Sequence, residues 1–176
     1  MYSAGKACII ERGHGVAQDF FLEHDHAISC LSLHPDGSII ASGDEGGGCV
    51  CVWRVEGCEL LSCVREAHEG GVAAVAVGGS GGGGREGGLV ISACRGGTGR
   101  LTVWEWGTGT KVASAYPQHF VNSIKFCPYK GHSFATSDSN GATLWSIDSA
   151  AGTISQTDVS PLRTPSSCLE YMEVSA

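Results

Sequence analysis

Three stretches of this chain repeat one order of residues, and that repetition limits the fold more than any other feature. The first runs from His24 to Val55 (HDHAISCLSLHPDGSIIASGDEGGGCVCVWRV). The second runs from His68 (HEGGVAAVAV) through GLVISACRGGTGRLTVWEW to Trp106, and the third from His119 to Ile147 (HFVNSIKFCPYKGHSFATSDSNGATLWSI). Each opens on a His, passes through an alternating strand and a turn, and enters a second strand ending in small residues. A further turn leads into a strand that ends in Trp. The aligned tryptophans are Trp53, Trp104 and Trp145, 51 and 41 residues apart. A tandem unit of this kind buries its apolar faces against its neighbours.

The strands follow from alternation with period two. Ile28, Cys30 and Leu31 to Leu33 alternate with small polar residues, as Ile124 and Phe126 do with Ser123 and Lys125. Cys49, Cys51 and Trp53 share one face of their strand, with Val50 and Val52 on the other. Leu101 and Val103 likewise oppose Thr102 and Trp104. Strands apolar on both faces belong to sheets packed between other sheets. His34-Pro35-Asp36-Gly37 is a turn, with Pro presetting φ. Asn140-Gly141 predicts a two-residue hairpin in which both residues take positive φ. No window carries a capped 3.6-residue period. The stretch from Gly78 to Gly88 (GGSGGGGREGG) is a Gly-rich loop inserted between two strands, and it lengthens the second repeat.

Composition agrees. With 42% hydrophobic and 16% charged residues, 27 Gly and 5 Pro, the chain reads as a packed, turn-rich all-β protein. A net charge of −7 without any Lys/Arg cluster argues against nucleic acid and against anionic membrane surfaces. No run of 18 apolar residues and no signal-peptide pattern is visible, which fits the cytoplasm and makes the nine cysteines thiols.

A His, a strand pair and a Trp closing a third strand, repeated at about 40–45 residues, resembles the WD-repeat family. The family's Gly-His before the first strand is here Glu23-His24, Ala67-His68 and Gln118-His119, so His is kept and Gly is not. The Asp after Trp is replaced by Arg54, Glu105 and Ser146. The turn Asp is also missing, with Asp44 and Asp138 close enough to substitute. The resemblance implies an all-β, WD40-type β-propeller built from four-stranded blades. Its repeats fall at about 24–66, 67–117 and 118–160, with partial blades at 1–23 and 161–176. Ser167 to Val174 reads as one strand of the last. Seven blades of about 42 residues need about 290, so two arrangements compete: a partial propeller, or a closed ring of four. The partial propeller is preferred, because a seven-bladed wedge of about 51° leaves gaps when four must fill the circle.

Within each repeat a buried His, a Ser or Thr and the Trp indole can satisfy one another's hydrogen bonds. The structural repeat positions are therefore His24, Ser42 and Trp53; His68, Ser92 and Trp104; and His119, Thr136 and Trp145. His14, His26, His34 and His132 read as turn or surface residues. Trp106, two residues after Trp104 on the same face, reads as packing between blades.

No catalytic, cofactor-binding or metal site is expected. Cys49-x-Cys51 with Cys58 and Cys63 has the look of a zinc set. However, structural zinc sites use pairs two to four residues apart on knuckle loops, and Cys49 and Cys51 sit one residue apart on a strand. They read as small core hydrophobes. A GxGxxG match in the Gly run lacks a following helix and a Lys-Ser or Lys-Thr.

Several stretches are similar to the first propeller of the echinoderm microtubule-associated-protein-like family and of cilia- and flagella-associated WD-repeat proteins. These are Tyr2 to Gly5 before an apolar strand, Phe20-Phe21-Leu22, Leu101 to Trp106 and Ile124 to Pro128. That resemblance implies a non-enzymatic protein-interaction scaffold in a large assembly, with tubulin or axonemal proteins as partners and the cytoskeleton of a cilium or flagellum as its place. The chain is acidic, as tubulin is, so attachment through other proteins is favoured over docking on tubulin tails. The alternative is a general cytosolic WD-repeat adaptor in signalling or ubiquitin-ligase substrate recognition.

Overall fold

The computed structural model describes residues 1–13, 17–78, 88–97, 99–127 and 130–157. They form four antiparallel sheets in chain order. The first has three strands: β1 (Tyr2–Ala4), β2 (Ala7–Arg12) and β3 (Ala17–Phe21). The second holds β4 (Ile28–Leu33), β5 (Ile39–Asp44), β6 (Val50–Arg54) and β7 (Glu59–Val64), in that spatial order. The third holds β8 (Val72–Gly78), β9 (Leu89–Cys94), β10 (Leu101–Glu105) and β11 (Lys111–Ala115), and the fourth β12 (Ser123–Phe126), β13 (Ser133–Asp138), β14 (Gly141–Asp148) and β15 (Thr153–Thr157). Among the described residues, the one helical turn is a 3₁₀ turn at Glu56–Cys58.

Each sheet is a meander, so every pairing is between sequence neighbours. The turns follow local chemistry. At His34–Gly37 the Gly37 N–H donates to the His34 carbonyl at 2.8 Å, and Gly37 takes φ +76°. The Asn140-Gly141 hairpin forms one residue earlier than its sequence implies. Asp138 pairs with Gly141, so Ser139 and Asn140 are the loop residues, and Gly141 is the one that takes positive φ, at +143°. The cause is Asp138, whose Oδ1 accepts from the backbone N–H of both Asn140 and Gly141 and closes the turn from its own side.

The sheets pack face to face in sequence order, through three apolar layers. Between the first and second lie Cys8, Phe21, Ile28, Ile40, Cys51 and Trp53. Between the second and third lie Val50, Val52, Val72, Val75, Val90 and Trp104. Between the third and fourth lie Leu101, Val103, Ile124, Phe134 and Trp145. The alternation read from the sequence is what feeds adjacent layers: along β6, Val50 and Val52 face one neighbour while Cys51 and Trp53 face the other.

Burial shows where the row is open. Strands β5 and β9, in the two middle sheets, are buried along their whole length. In β1 every residue is exposed, and β15 is nearly so. The residue before each repeat Trp makes the same point. Val52 and Val103 are 2% and 0% exposed because a further sheet covers them, while Leu144 on the last sheet is 38% exposed.

Candidate functional site

The repeat positions converge on hydrogen bonds inside the sheets. In the second sheet the Trp53 indole N–H donates to Ser42 Oγ at 2.9 Å, and Ser42 Oγ lies 2.6 Å from His24 Nε2. His24 Nδ1 faces Asp44 Oδ2 at 3.4 Å, and Asp44 Oδ1 accepts the Cys49 N–H at 3.1 Å. An ionised carboxylate only accepts, so Nδ1 carries the proton and the Ser42 hydroxyl donates to Nε2. Every member is buried, which makes each bond costly to lose.

The third sheet repeats this with one part missing. Trp104 donates to Ser92 Oγ at 2.7 Å, and Ser92 Oγ lies 2.7 Å from His68 Nε2. Cys94 stands where Asp44 stands, two residues past the Ser, and its Sγ turns to the carbonyls of Glu69 and Gly96. His68 Nδ1 is left without a partner among the described residues. Burial, and after it the charge of Arg100, pushes the His68 pKa down to about 4.

In the fourth sheet Trp145 donates to Thr136 Oγ1 at 2.8 Å, but His119 does not join them. It is exposed, with Nε2 2.8 Å from the Asn140 amide nitrogen. The repeat position of His119 is thus corrected, and the reason lies in the β13–β14 turn. In the second sheet the β5–β6 connection is longer, from Glu45 to Cys49, and Asp44 at the end of β5 faces His24. In the fourth the hairpin closes in two residues, and Asp138 is committed to its own turn. The strand segment 161–176 and most of the Gly-rich loop 78–88 lie outside the described residues, as does His14.

These networks hold the sheets together; the surface feature is a cleft. In a four-stranded meander, the loops joining strands two and three lie at the same end as those joining one sheet to the next. At that end, between the third and fourth sheets, is a cleft of about 490 Å³ lined by Gly97, Gly99, Pro117, His119, Phe120 and Ser139 among others. His119 is the one titratable side chain among its lining residues. Phe120 is 59% exposed, and nearby Tyr116 is exposed as well. The size falls in the range of ligand clefts, about 300–1,000 Å³. The correction at His119 therefore places that ring at a cleft rather than in a core.

Three of the cysteines gather in one place. Cys49, Cys51 and Cys63 bring their sulfurs together, with Sγ–Sγ separations of 3.5 Å (49–51), 3.0 Å (49–63) and 2.8 Å (51–63). Cys63 comes from β7, directly opposite Cys51 in the strand register, which sequence spacing alone does not reveal. Cys58 stands at the far end of β7, near Arg12 and Asp19. Thiol hydrogen bonds from Cys49 and then Cys51 hold the Cys63 pKa well below the ordinary thiol range, with Arg65 adding to the effect. Burial raises the pKa of Cys8 and Cys30 to about 11 each.

Residues 15–54 match the family model described as WD domain, G-beta repeat. That match covers β3 to β6, so the sequence repeat is offset by one strand from the sheet, taking the last strand of one sheet and the first three of the next. A chain in the crystal structure of the mitotic checkpoint complex superposes with a TM-score of 0.66 at 19% identity, covering 88% of this chain and 49% of that one. The fold is a partial WD40-type β-propeller. The β-propeller domain of Myceliophteria thermophila Cps50 (Swd1) superposes with a TM-score of 0.56 at 20% identity, covering 74% of this chain and 38% of that one. The chain thus spans half or less of the propeller chains it matches. The second, third and fourth sheets are four-stranded blades, and the first contributes three strands of another.

Proposed function

We propose that this chain is a protein-interaction module that docks a partner segment at the loop end of its blades, over the cleft beside Phe120. The observation that carries the reading is that exposed aromatic side chain at the rim of a cleft whose lining holds no charged residue apart from what His119 can carry. Aromatic anchors in such clefts carry a large share of binding energy at protein interfaces. The polar residues that the sequence repeats hold in register are spent on packing the blades, which leaves binding rather than catalysis to the loops.

A microtubule-associated, ciliary setting is the finer form of this proposal. Its support is the resemblance of Leu101 to Trp106 and Ile124 to Pro128 to the axonemal WD-repeat families. A general adaptor in signalling or ubiquitin-ligase complexes is supported equally by the fold, and both belong to the same binding mode.

The test is affinity capture from native cells with the chain and with its Phe120→Ser variant, followed by mass spectrometry. Partners that bind the unaltered chain and drop at least about tenfold with the variant support docking at the cleft. Partners indifferent to Phe120 contradict it. Tubulin with axonemal proteins among the Phe120-dependent set supports the ciliary form; ligase or signalling subunits without them overturn that form.

A further inference from the structure

We propose that Cys49, Cys51 and Cys63 form a binding site for a thiophilic cation of the zinc class, with a ring nitrogen of His24 as the fourth donor. Three observations on separate elements carry it. The first is convergence: three sulfurs lie within 3.5 Å of one another, from the β5–β6 connection, β6 and β7. Thiols packed only as small hydrophobes have no reason to point their sulfurs at a common centre.

The second is the donor set. Ligand atoms of His24, Cys49 and Cys51 all lie within 4.8 Å of one another and are buried, while the half-buried Cys63 supplies access from the surface. Three thiolates and one imidazole are a known structural zinc set, with zinc–sulfur bonds of about 2.3 Å. The sulfurs need to open by less than about 1 Å to reach a tetrahedral spread at that bond length, and the His24 ring must close on Cys63, whose sulfur does not lie within that 4.8 Å. His24 makes two ring hydrogen bonds, and the one to Asp44, at 3.4 Å, is long enough to be traded for a metal bond. The ring proton then moves from Nδ1 to Nε2, which donates to Ser42 Oγ and orients the ring as an outer-shell partner does.

The third is that the blade does not need these residues. Counted back from the repeat Trp, Cys51 corresponds to Thr102 and Cys49 to Arg100 in the next blade. The residue opposite Thr102 in the register is Ser114, as Cys63 is opposite Cys51. A blade of the same build thus forms with no sulfur at any of the three places.

Binding exchanges thiol protons for the cation: each S–H bond broken releases one proton to solvent and forms one metal–sulfur bond, without oxidation or reduction. Asp44 lies beside His24, and the Arg65 guanidinium, paired with Asp25, is near enough to Cys63 to favour its thiolate.

The experiment titrates the full chain, reduced and stripped with a chelator, with Co(II) and then Zn(II). The expected result is one equivalent of Co(II) with intense sulfur-to-cobalt charge-transfer absorption, displaced by Zn(II), with proton release and a raised melting temperature. Cys63→Ser and Cys51→Ser each weaken binding at least about tenfold, while Cys127→Ser binds as the unaltered chain does. Cys63 is half-buried where Cys51 is fully buried, so its Ser variant keeps the fold even if the Cys51 variant does not. A folded, reduced chain that takes up no metal at micromolar Zn(II), or a Cys63→Ser variant that binds with unchanged affinity, overturns the proposal.

Discussion

The indole N–H of Trp104 and the ring of His68 meet on one atom, Ser92 Oγ, each at 2.7 Å. Ser92 is fully buried, so its hydroxyl serves two partners that have no water to turn to. Replacing Ser92 with Ala leaves an indole N–H and a ring nitrogen unpaired in the core. The expected cost is about 2–4 kcal/mol, read as a lower denaturant midpoint at unchanged slope.

His24 and His119 hold the same place in their repeats and differ in surroundings. His24 is buried with two partners, and His119 is exposed with one. His119→Ala should change stability by no more than about 0.5 kcal/mol, while His24→Ala should cost more than about 2 kcal/mol. Thermal or urea unfolding of the two variants checks both values.

Acid should weaken the third sheet through His68. Its folded pKa is depressed to about 4, from an ordinary value of about 6.5. Between those values the unfolded chain takes up a proton that the folded chain refuses. Stability therefore falls as pH drops through that window, by of order 3 kcal/mol at its lower end. Urea midpoints of the unaltered chain and of His68→Gln at pH 7 and near pH 4 measure the difference; the variant should lose that part of the slope.

Gly48 is fixed by its neighbour. It takes φ +62°, and a Cβ there would lie 1.8 Å from the carbonyl oxygen of His68 in the next blade's lead-in. Gly37 takes a similar φ, +76°, with nothing near its Cβ position. Gly48→Ala should cost more than about 3 kcal/mol, and Gly37→Ala about 1 kcal/mol. The gap between them, from unfolding curves, isolates the contact from the backbone strain.

Much of this arrangement is legible in the residues. Alternation along β6 and β10 states which side chains face which layer, because a strand's period is fixed by its pleat. The Ser42–Trp53 and Ser92–Trp104 pairs follow from counting within the repeat, since neighbouring strands in a short meander have one sensible register. What sequence spacing does not carry is what lies across from a residue or above it. Cys63 meets Cys51 because β7 shifts its register at a bulge between Val52 and Trp53, and no local pattern marks a bulge. His119 is misread for a similar reason. Its own neighbours look like those of His24, but its fate is decided by a hairpin some twenty residues later that closes in two residues and takes Asp138 into its own turn. The cleft beside Phe120 is legible least of all, being built from three loops without any motif.

A buried indole-to-hydroxyl bond pins the strands within each blade. Hydrogen exchange of the indole N–H protons of Trp53, Trp104 and Trp145, followed by NMR at neutral pH, tests it most directly. All three lie in the layers between sheets and donate to buried hydroxyl oxygens, so all three should exchange slowly. Free exchange of Trp53 or Trp104 in the folded protein would contradict the account.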